Sequence, residues 1–209
     1  MTVTARKIFS CDTRTAPALE ARFFSGLKMR NGTFKLTAPG RFVDVELAFA
    51  PVIGSRAPRL RNVLDVGASI GVTTVELANF LARCGADPRV VGTDLYIDAH
   101  LVKVLPGLHV LSDPDGWPLQ YDVGGVPIRA WMRRLDYVTL AALPLHAARI
   151  LMRGRLRKMI AAGRSRAVKM QTSALSRRRI ELIENDIFLR TDAFLGRFDF
   201  IRAANILNL

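Results

Sequence analysis

The sequence predicts an α/β protein built on a doubly wound parallel sheet, and three observations carry that expectation. "NVLDVG" and "RVVGTDLY" read as short strands with apolar residues on both faces, as buried parallel strands have. Each run closes on an aspartate, Asp65 and Asp94. Between them, "GVTTVELANFLARCG" carries Val72, Val75, Leu77, Ala78 and Leu81 near helical spacing, with Gly85 as its C-terminal stop. Strand, helix and strand within about 35 residues make a βαβ unit with a right-handed crossover.

The elements on either side are read in chain order. Residues 1–59 form an N-terminal extension, in which "ALEARFFSGLKM" suits a short helix. "MRNGTFKL" suits a hairpin around Asn31-Gly32, a dipeptide that accepts positive φ cheaply. Residues 46–60, with their prolines and glycine, read as a connecting loop. The core then runs over 60–209, interrupted by an insertion at about 105–178. "IDAHLVKVL" reads as a helix, and "HVLSDPDGWPLQYDVGGVPIRAWM" as a small β excursion, an inserted β-hairpin. "LDYVTLAALPLHAARILMRGRLRKMIAAGRSR" reads as helical, kinked near Pro144 and weakened at Gly154. The α/β rhythm resumes with the strand "RRRIELIENDIF", ending at Asp186, and closes with "RFDFIRAANILNL". The sheet is therefore expected to be incomplete, with about four core strands beside a basic helical segment.

Composition limits the classes of function. Half of the 209 residues are hydrophobic and 23% are charged, which suits a globular chain with a substantial core. Cys11 and Cys84 have no metal-type spacing and fit a reducing compartment, and His100, His109 and His146 are scattered, so no metal site is expected. The first fifteen residues lack the apolar core of a signal peptide. The longest apolar run, "YVTLAALPLHAARILM", is interrupted by Pro144, His146 and Arg149 and is no membrane span. The expected location is the cytoplasm, at a membrane periphery if the basic segment meets lipid.

Chemistry concentrates at the glycine turn. A strand that runs into Gly67, Ala68 and Gly71 before a helix lets backbone approach a ligand, and unpaired N–H groups with the helix dipole favour anionic groups. The same turn also occurs in α/β proteins that bind nothing there. Asp94 adds weight to the ligand reading: it lies 23 residues after Gly71, at the end of the next strand, where its carboxylate can accept both hydroxyls of a ribose. Leu95 and Tyr96 follow, placed to cover one face of a purine. A dinucleotide rests its phosphates on such a loop, where an acid just before it is unhelpful. S-adenosylmethionine presents an ammonium group instead, which Asp65 can hold. Asp65 therefore favours S-adenosylmethionine over a nicotinamide cofactor, and the Gly67–Gly71 spacing departs from the dinucleotide fingerprint.

These motifs together resemble the class I S-adenosylmethionine-dependent methyltransferases. "VLDVGASIG" is similar to the family's first motif, with Ser69 where many members have a middle glycine, and "VVGTDLY" is similar to the second, with Asp94 as the ribose acid. "IELIENDIF" resembles the segment in which an aspartate reads the adenine amino group, here Asp186, with the Ile187 backbone beside the ring. "FDFIRAANIL" resembles the fourth strand, whose end faces the reactive methyl, and its "RAAN" is loosely similar to that strand in chemotaxis-receptor carboxyl methyltransferases. The resemblance covers about 60–96 and 178–208. It implies a Rossmann-like core, the cofactor S-adenosylmethionine, and Asn205 as a substrate-orienting amide, a role that competes with strand-end capping. It also implies seven strands in the order 3-2-1-4-5-7-6, so a chain that stops after the fourth is expected to be truncated or completed by another chain, and truncation is favoured. The methyl acceptor is not legible. An NAD-dependent oxidoreductase and a non-catalytic nucleotide-binding module are the rivals.

Basic charge belongs to one segment. Residues 129–179 hold fourteen lysines and arginines against a single acid, Asp136, an excess that equals the +13 of the whole chain. Leu145, Ala148, Met152, Leu156, Met159 and Ile160 gather on one helical face, with Arg149, Arg153, Arg155, Arg157 and Lys158 over the rest. Three readings stay open: a solvated face, an acidic substrate or partner, and an anionic membrane surface approached with Trp131 and Tyr137 near the helix start. Nucleic acid is the less favoured partner, because Trp117, Tyr121, Trp131 and Tyr137 precede the basic run rather than interleave with it.

Overall fold

A computed structural model describes residues 3–10, 17–35, 38–139, 142–177 and 180–203. In chain order the helices and strands are α1 (Ala5–Ile8), α2 (Pro17–Ser25), α3 (Val43–Arg56), β1 (Asn62–Val66), α4 (Val72–Arg83), β2 (Arg89–Asp94), β3 (Asp98–Leu105) and β4 (Leu108–Ser112). There follow β5 (Pro118–Val123), β6 (Val126–Arg129), α5 (Arg134–Val138), α6 (Ala142–Ala161), β7 (Arg166–Lys169), β8 (Ile180–Glu184) and β9 (Phe200–Ala203). The fold is mixed α/β, with a four-stranded parallel sheet and a five-stranded antiparallel sheet. The chain divides into two compact units: Thr37–Ile97 with Gln171–Leu209, and Met1–Leu36 with Asp98–Met170.

The first of these units holds the parallel sheet, in the order β8-β2-β1-β9. β1 lies in register with β2 from Asn62↔Arg89 and with β9 from Val63↔Phe200. Its core joins Val63 and Val90 of the sheet to Leu77, Phe80 and Leu81 of α4 and Ile53 of α3. The helix α4 stops where the sequence says it should. Gly85 adopts φ 84°, its N–H bonds to the Ala82 carbonyl, and the Ala86 N–H reaches the Leu81 carbonyl, a Schellman ending. Residues 46–60, expected as a loop, are instead mostly helix: α3 runs through Pro51 to Arg56. Glu46, Ile53 and Ala57 are buried at helical spacing, with Ala50 packed beside them, and that burial outweighs the local signals of Pro51 and Gly54.

The second unit holds the antiparallel sheet, in the order β6-β5-β4-β3-β7. "IDAHLVKVL", expected as a helix, forms β3, paired with both β4 and β7. A run this short fits either period, and the non-local pairing decides. For the same reason the expected inserted hairpin is only part of a five-stranded sheet. The first half of the basic segment folds as α5 and α6, and Leu156 and Met159 of α6 pack on Val102, Val104, Val110 and Tyr121. The helical stretch expected to kink near Pro144 is divided just before it: α5 ends at Val138, and Pro144 falls in the first turn of α6, where no intrahelical N–H bond is lost. Gly154 lies inside the continuous helix. The N-terminal residues are fastened to this sheet by the buried Gln120, whose Oε1 accepts the Ala5 N–H at 2.6 Å and whose Nε2 donates to the Val3 carbonyl at 3.0 Å. Asn31-Gly32 sits at a tight reversal beside a Lys28↔Phe34 bridge, as expected. Among the described residues no helix is long and apolar enough to cross a membrane.

Candidate functional site

The carboxyl ends of β1, β2 and β8 meet at the glycine turn. Gly67, Ser69 and Gly71 all have positive φ, at 78°, 54° and 87°. Ser69 thus takes a left-handed backbone conformation, at a steric cost that glycine avoids. The turn is fastened to β2: the Gly67 and Ala68 N–H groups both donate to the Thr93 carbonyl, at 2.8 and 2.9 Å. Gly92 makes the close approach possible, since a Cβ there would lie 3.0 Å from Ala68 Cβ and 2.4 Å from Leu182 Cδ2. A Cβ at Gly71 would meet Leu175 Cδ1 at 2.9 Å. Part of the demand for glycine is therefore internal packing.

Asp94 is half-buried at the end of β2. Its Oδ2 accepts the Ser69 N–H at 2.8 Å and its Oδ1 the Tyr96 N–H at 3.2 Å. Leu95 beside it is exposed. The neighbouring strand β8 pairs Glu184 with Asp94, and Asp186 follows two residues later. The Asp186 carboxylate folds into an Asx turn, accepting the Phe188 N–H at 2.9 Å, and Ile187 is exposed. Asp94, Leu95, Asp186 and Ile187 thus follow the carboxyl ends of the adjacent strands β2 and β8, with Asp94 bonded to the turn at Ser69.

Asp65 has a different setting. It is 2% exposed, and its Cα is the register partner of Arg202 on β9. Arg202 Nε donates to Oδ1 and Nη2 to Oδ2, both at 2.8 Å, and Thr74 Oγ1 donates to Oδ2 at 2.6 Å. The guanidinium also donates to the Thr73 carbonyl and stands 3.5 Å from Glu46 Oε1, with the Phe42 ring 5.0 Å away. Burial pushes the Glu46 carboxyl above its ordinary range, and Arg202 opposes that shift. Neither Arg202 nor Glu46 was anticipated from sequence. The signal for Arg202 was an arginine inside the apolar strand "FDFIRAAN", a residue that demands an acid partner when buried.

Asn205 lies outside the described residues. Asp199 caps the start of β1: its Oδ2 accepts the Asn62 and Arg61 N–H groups at 2.8 Å, which hold the carboxyl below its ordinary range. Asp113 closes a turn, its Oδ1 accepting the Trp117 N–H at 2.8 Å. No cluster of His, Cys, Asp or Glu suited to a metal ion occurs among the described residues.

The basic segment is only partly solvated. Arg153 and Arg149 lie over the Trp117 ring, at 4.3 and 5.5 Å. Arg129 makes a two-pronged pair with Asp136, at 2.5 and 2.7 Å, and these bonds with the Arg133 N–H hold the Asp136 carboxyl down to about 2. Trp131 is turned inward, its Nε1 donating to the Gly26 carbonyl. The one acid of the segment is thus already paired.

No protein-family model, curated protein or solved structure matches this chain.

Proposed function

We propose that the parallel-sheet unit is the cofactor-binding part of a Rossmann-like, S-adenosylmethionine-dependent methyltransferase. The observation that carries the reading is the direct bond between Asp94 and the turn: the carboxylate at the end of β2 accepts the Ser69 N–H. A carboxylate thereby stands against a glycine turn at the carboxyl edge of a parallel sheet, the placement a ribose acid requires. Strand order gives further support, because β8-β2-β1-β9 is the order third, second, first, fourth in chain sequence.

Each residue has a chemical part in this reading. A carboxylate offers about four lone-pair directions, and in this reading Asp94 accepts the ribose hydroxyls beside its bonds from the Ser69 and Tyr96 N–H groups. Leu95 and Ile187, 39% and 42% exposed, supply apolar contact for the purine, and Asp186 supplies an acceptor for its amino group. Gly67, Ala68 and Gly71 bring the backbone close to the amino-acid end. The ammonium would reach Asp65 only by displacing Arg202, so Asp65 acts here as a positioning residue and the reading rests on Asp94. The cofactor supplies an electrophilic methyl on sulfonium, and its in-line transfer chiefly requires a nucleophile held close and aligned. The acceptor is unidentified.

Calorimetric titration of the 209-residue chain with S-adenosylhomocysteine, repeated on Asp94→Ala, tests the reading. Binding weakened at least about tenfold in a variant that keeps its circular dichroism is the expected result, corresponding to a lost charged hydrogen-bond acceptor. Failure of the folded wild-type chain to bind, or saturable binding of NADH in its place, would overturn it.

A further inference from the structure

Helices α5 and α6 present an apolar face that points away from the sheet they belong to. On α6, Leu156 and Met159 are buried, with Met152 and Ile160 packed beside them. Leu143, Ile150 and Leu151 lie on the other side of the helix and are each more than half exposed. Ala147 and Gly154, also exposed, continue that side between them. On α5, Leu135, Tyr137 and Val138 are more than half exposed as well, Val138 at 80%. A mostly apolar cleft of about 410 Å³ opens in this surface, lined by Met132, Tyr137, Ala142, Leu143 and His146. Contiguous exposed apolar surface of this kind marks an interaction site.

Further along the same exposed side of α6 the chemistry changes to Arg155, Arg157 and Lys158. No acid occurs in α6, and the single acid of the segment, Asp136, is bound to Arg129. We propose that this face docks on an anionic lipid surface. The apolar half of α6 and the tip of α5 enter the head-group boundary, and the basic half of α6 meets the lipid phosphates. Charge decides against a second copy of the chain, which would set the same cations against each other. The aromatics decide against single-stranded nucleic acid: Trp117 is covered by Arg149 and Arg153, and Trp131 is hydrogen-bonded to Gly26. The stacking platform such a ligand needs is therefore largely taken. The inference stands apart from the methyltransferase reading, which concerns the other unit.

Vesicle flotation tests it, with phosphatidylcholine alone and with an equimolar mixture of phosphatidylcholine and phosphatidylglycerol. The expected result is flotation with the mixed vesicles, little with neutral ones, and weakening as salt is raised. Leu151→Glu should lower the partition coefficient at least about tenfold, since it removes apolar burial and adds a like charge to the lipid. Arg157→Gln and Lys158→Gln should each lower it about fivefold. All three positions are exposed, so thermal melts should match the wild type. Equal flotation with neutral vesicles, flotation untouched by Leu151→Glu, or a dimer in solution that Leu151→Glu separates would overturn the proposal.

Discussion

Asp65 and Asp94 stand near the ends of adjacent parallel strands, a few residues from the same glycine turn. Asp65 faces inward and gives both oxygens to Arg202 and Thr74, while Asp94 faces the turn and accepts the Ser69 and Tyr96 N–H groups. The difference follows from which neighbour each strand has. β9 puts a guanidinium opposite Asp65 across the sheet, whereas β8 puts Glu184 opposite Asp94. Two carboxylates of one sequence pattern thereby divide the work: one closes the core against a guanidinium and the other holds the glycine turn by its backbone.

Several measurements would break or sharpen this contrast. Asp65→Ala should have the largest effect, a loss of about 3–5 kcal/mol of stability in urea denaturation, because it strands the buried Arg202 charge. A variant that unfolded like the wild type would erase the distinction between the two aspartates. Gly92→Ala comes next. Its new methyl must push Leu182 and the turn at Ala68 away, at a cost of about 1–3 kcal/mol, and it should also weaken binding at Asp94 by moving Ser69.

Ser69→Gly should act in the opposite direction. Relief of a positive φ, partly offset by the greater freedom of glycine in the unfolded chain, should raise stability by about 0.5–1 kcal/mol. The N–H that donates to Asp94 is retained, so ligand affinity should hold. The smallest effect concerns pH. Burial raises the Glu46 carboxyl above its ordinary value, so the folded chain holds that proton more tightly than the unfolded chain. The Glu46 contribution is therefore greatest below the unfolded value and declines as pH rises through the folded one. Glu46→Gln abolishes that decline. Its denaturation midpoint, measured against wild type, should move in favour of the variant as pH rises from below the ordinary glutamate range through the raised value of the folded chain. The reverse slope would mean that Arg202 outweighs burial, which would tie Glu46 as closely to the guanidinium as Asp65 is.

Much of the parallel-sheet unit was legible because its signals are local. The two strand runs, the helix between them with its Gly85 ending, and the turn at Gly67–Gly71 are all contained in one short stretch. The positive φ of Ser69 was not legible, because serine gives no local signal for a conformation that glycine takes without cost. The antiparallel unit was read less well. β3 looked helical in isolation, and its pairing with β7 joins residues about 70 positions apart, information no window of sequence contains. The helix α3 was missed for the converse reason, since Pro51 and Gly54 signal a loop until the burial of Ile53 and Ala57 is counted.

By itself the sequence determined the βαβ start, the presence of acids at the strand ends, and the concentration of the net positive charge in residues 129–179. These depend on residues close together in the chain, where spacing and composition are enough. Tertiary structure alone decided which acid is sealed. Arg202 reaches Asp65 from 137 positions away, through the register of β1 on β9. It also decided which side of α6 is covered, because only the packed sheet shows that Leu156 is inside and Leu151 is not. The physical reason is the same in both cases: the cost of burying a charge or exposing an apolar side chain depends on what lies across from it, and that neighbour is supplied by the fold.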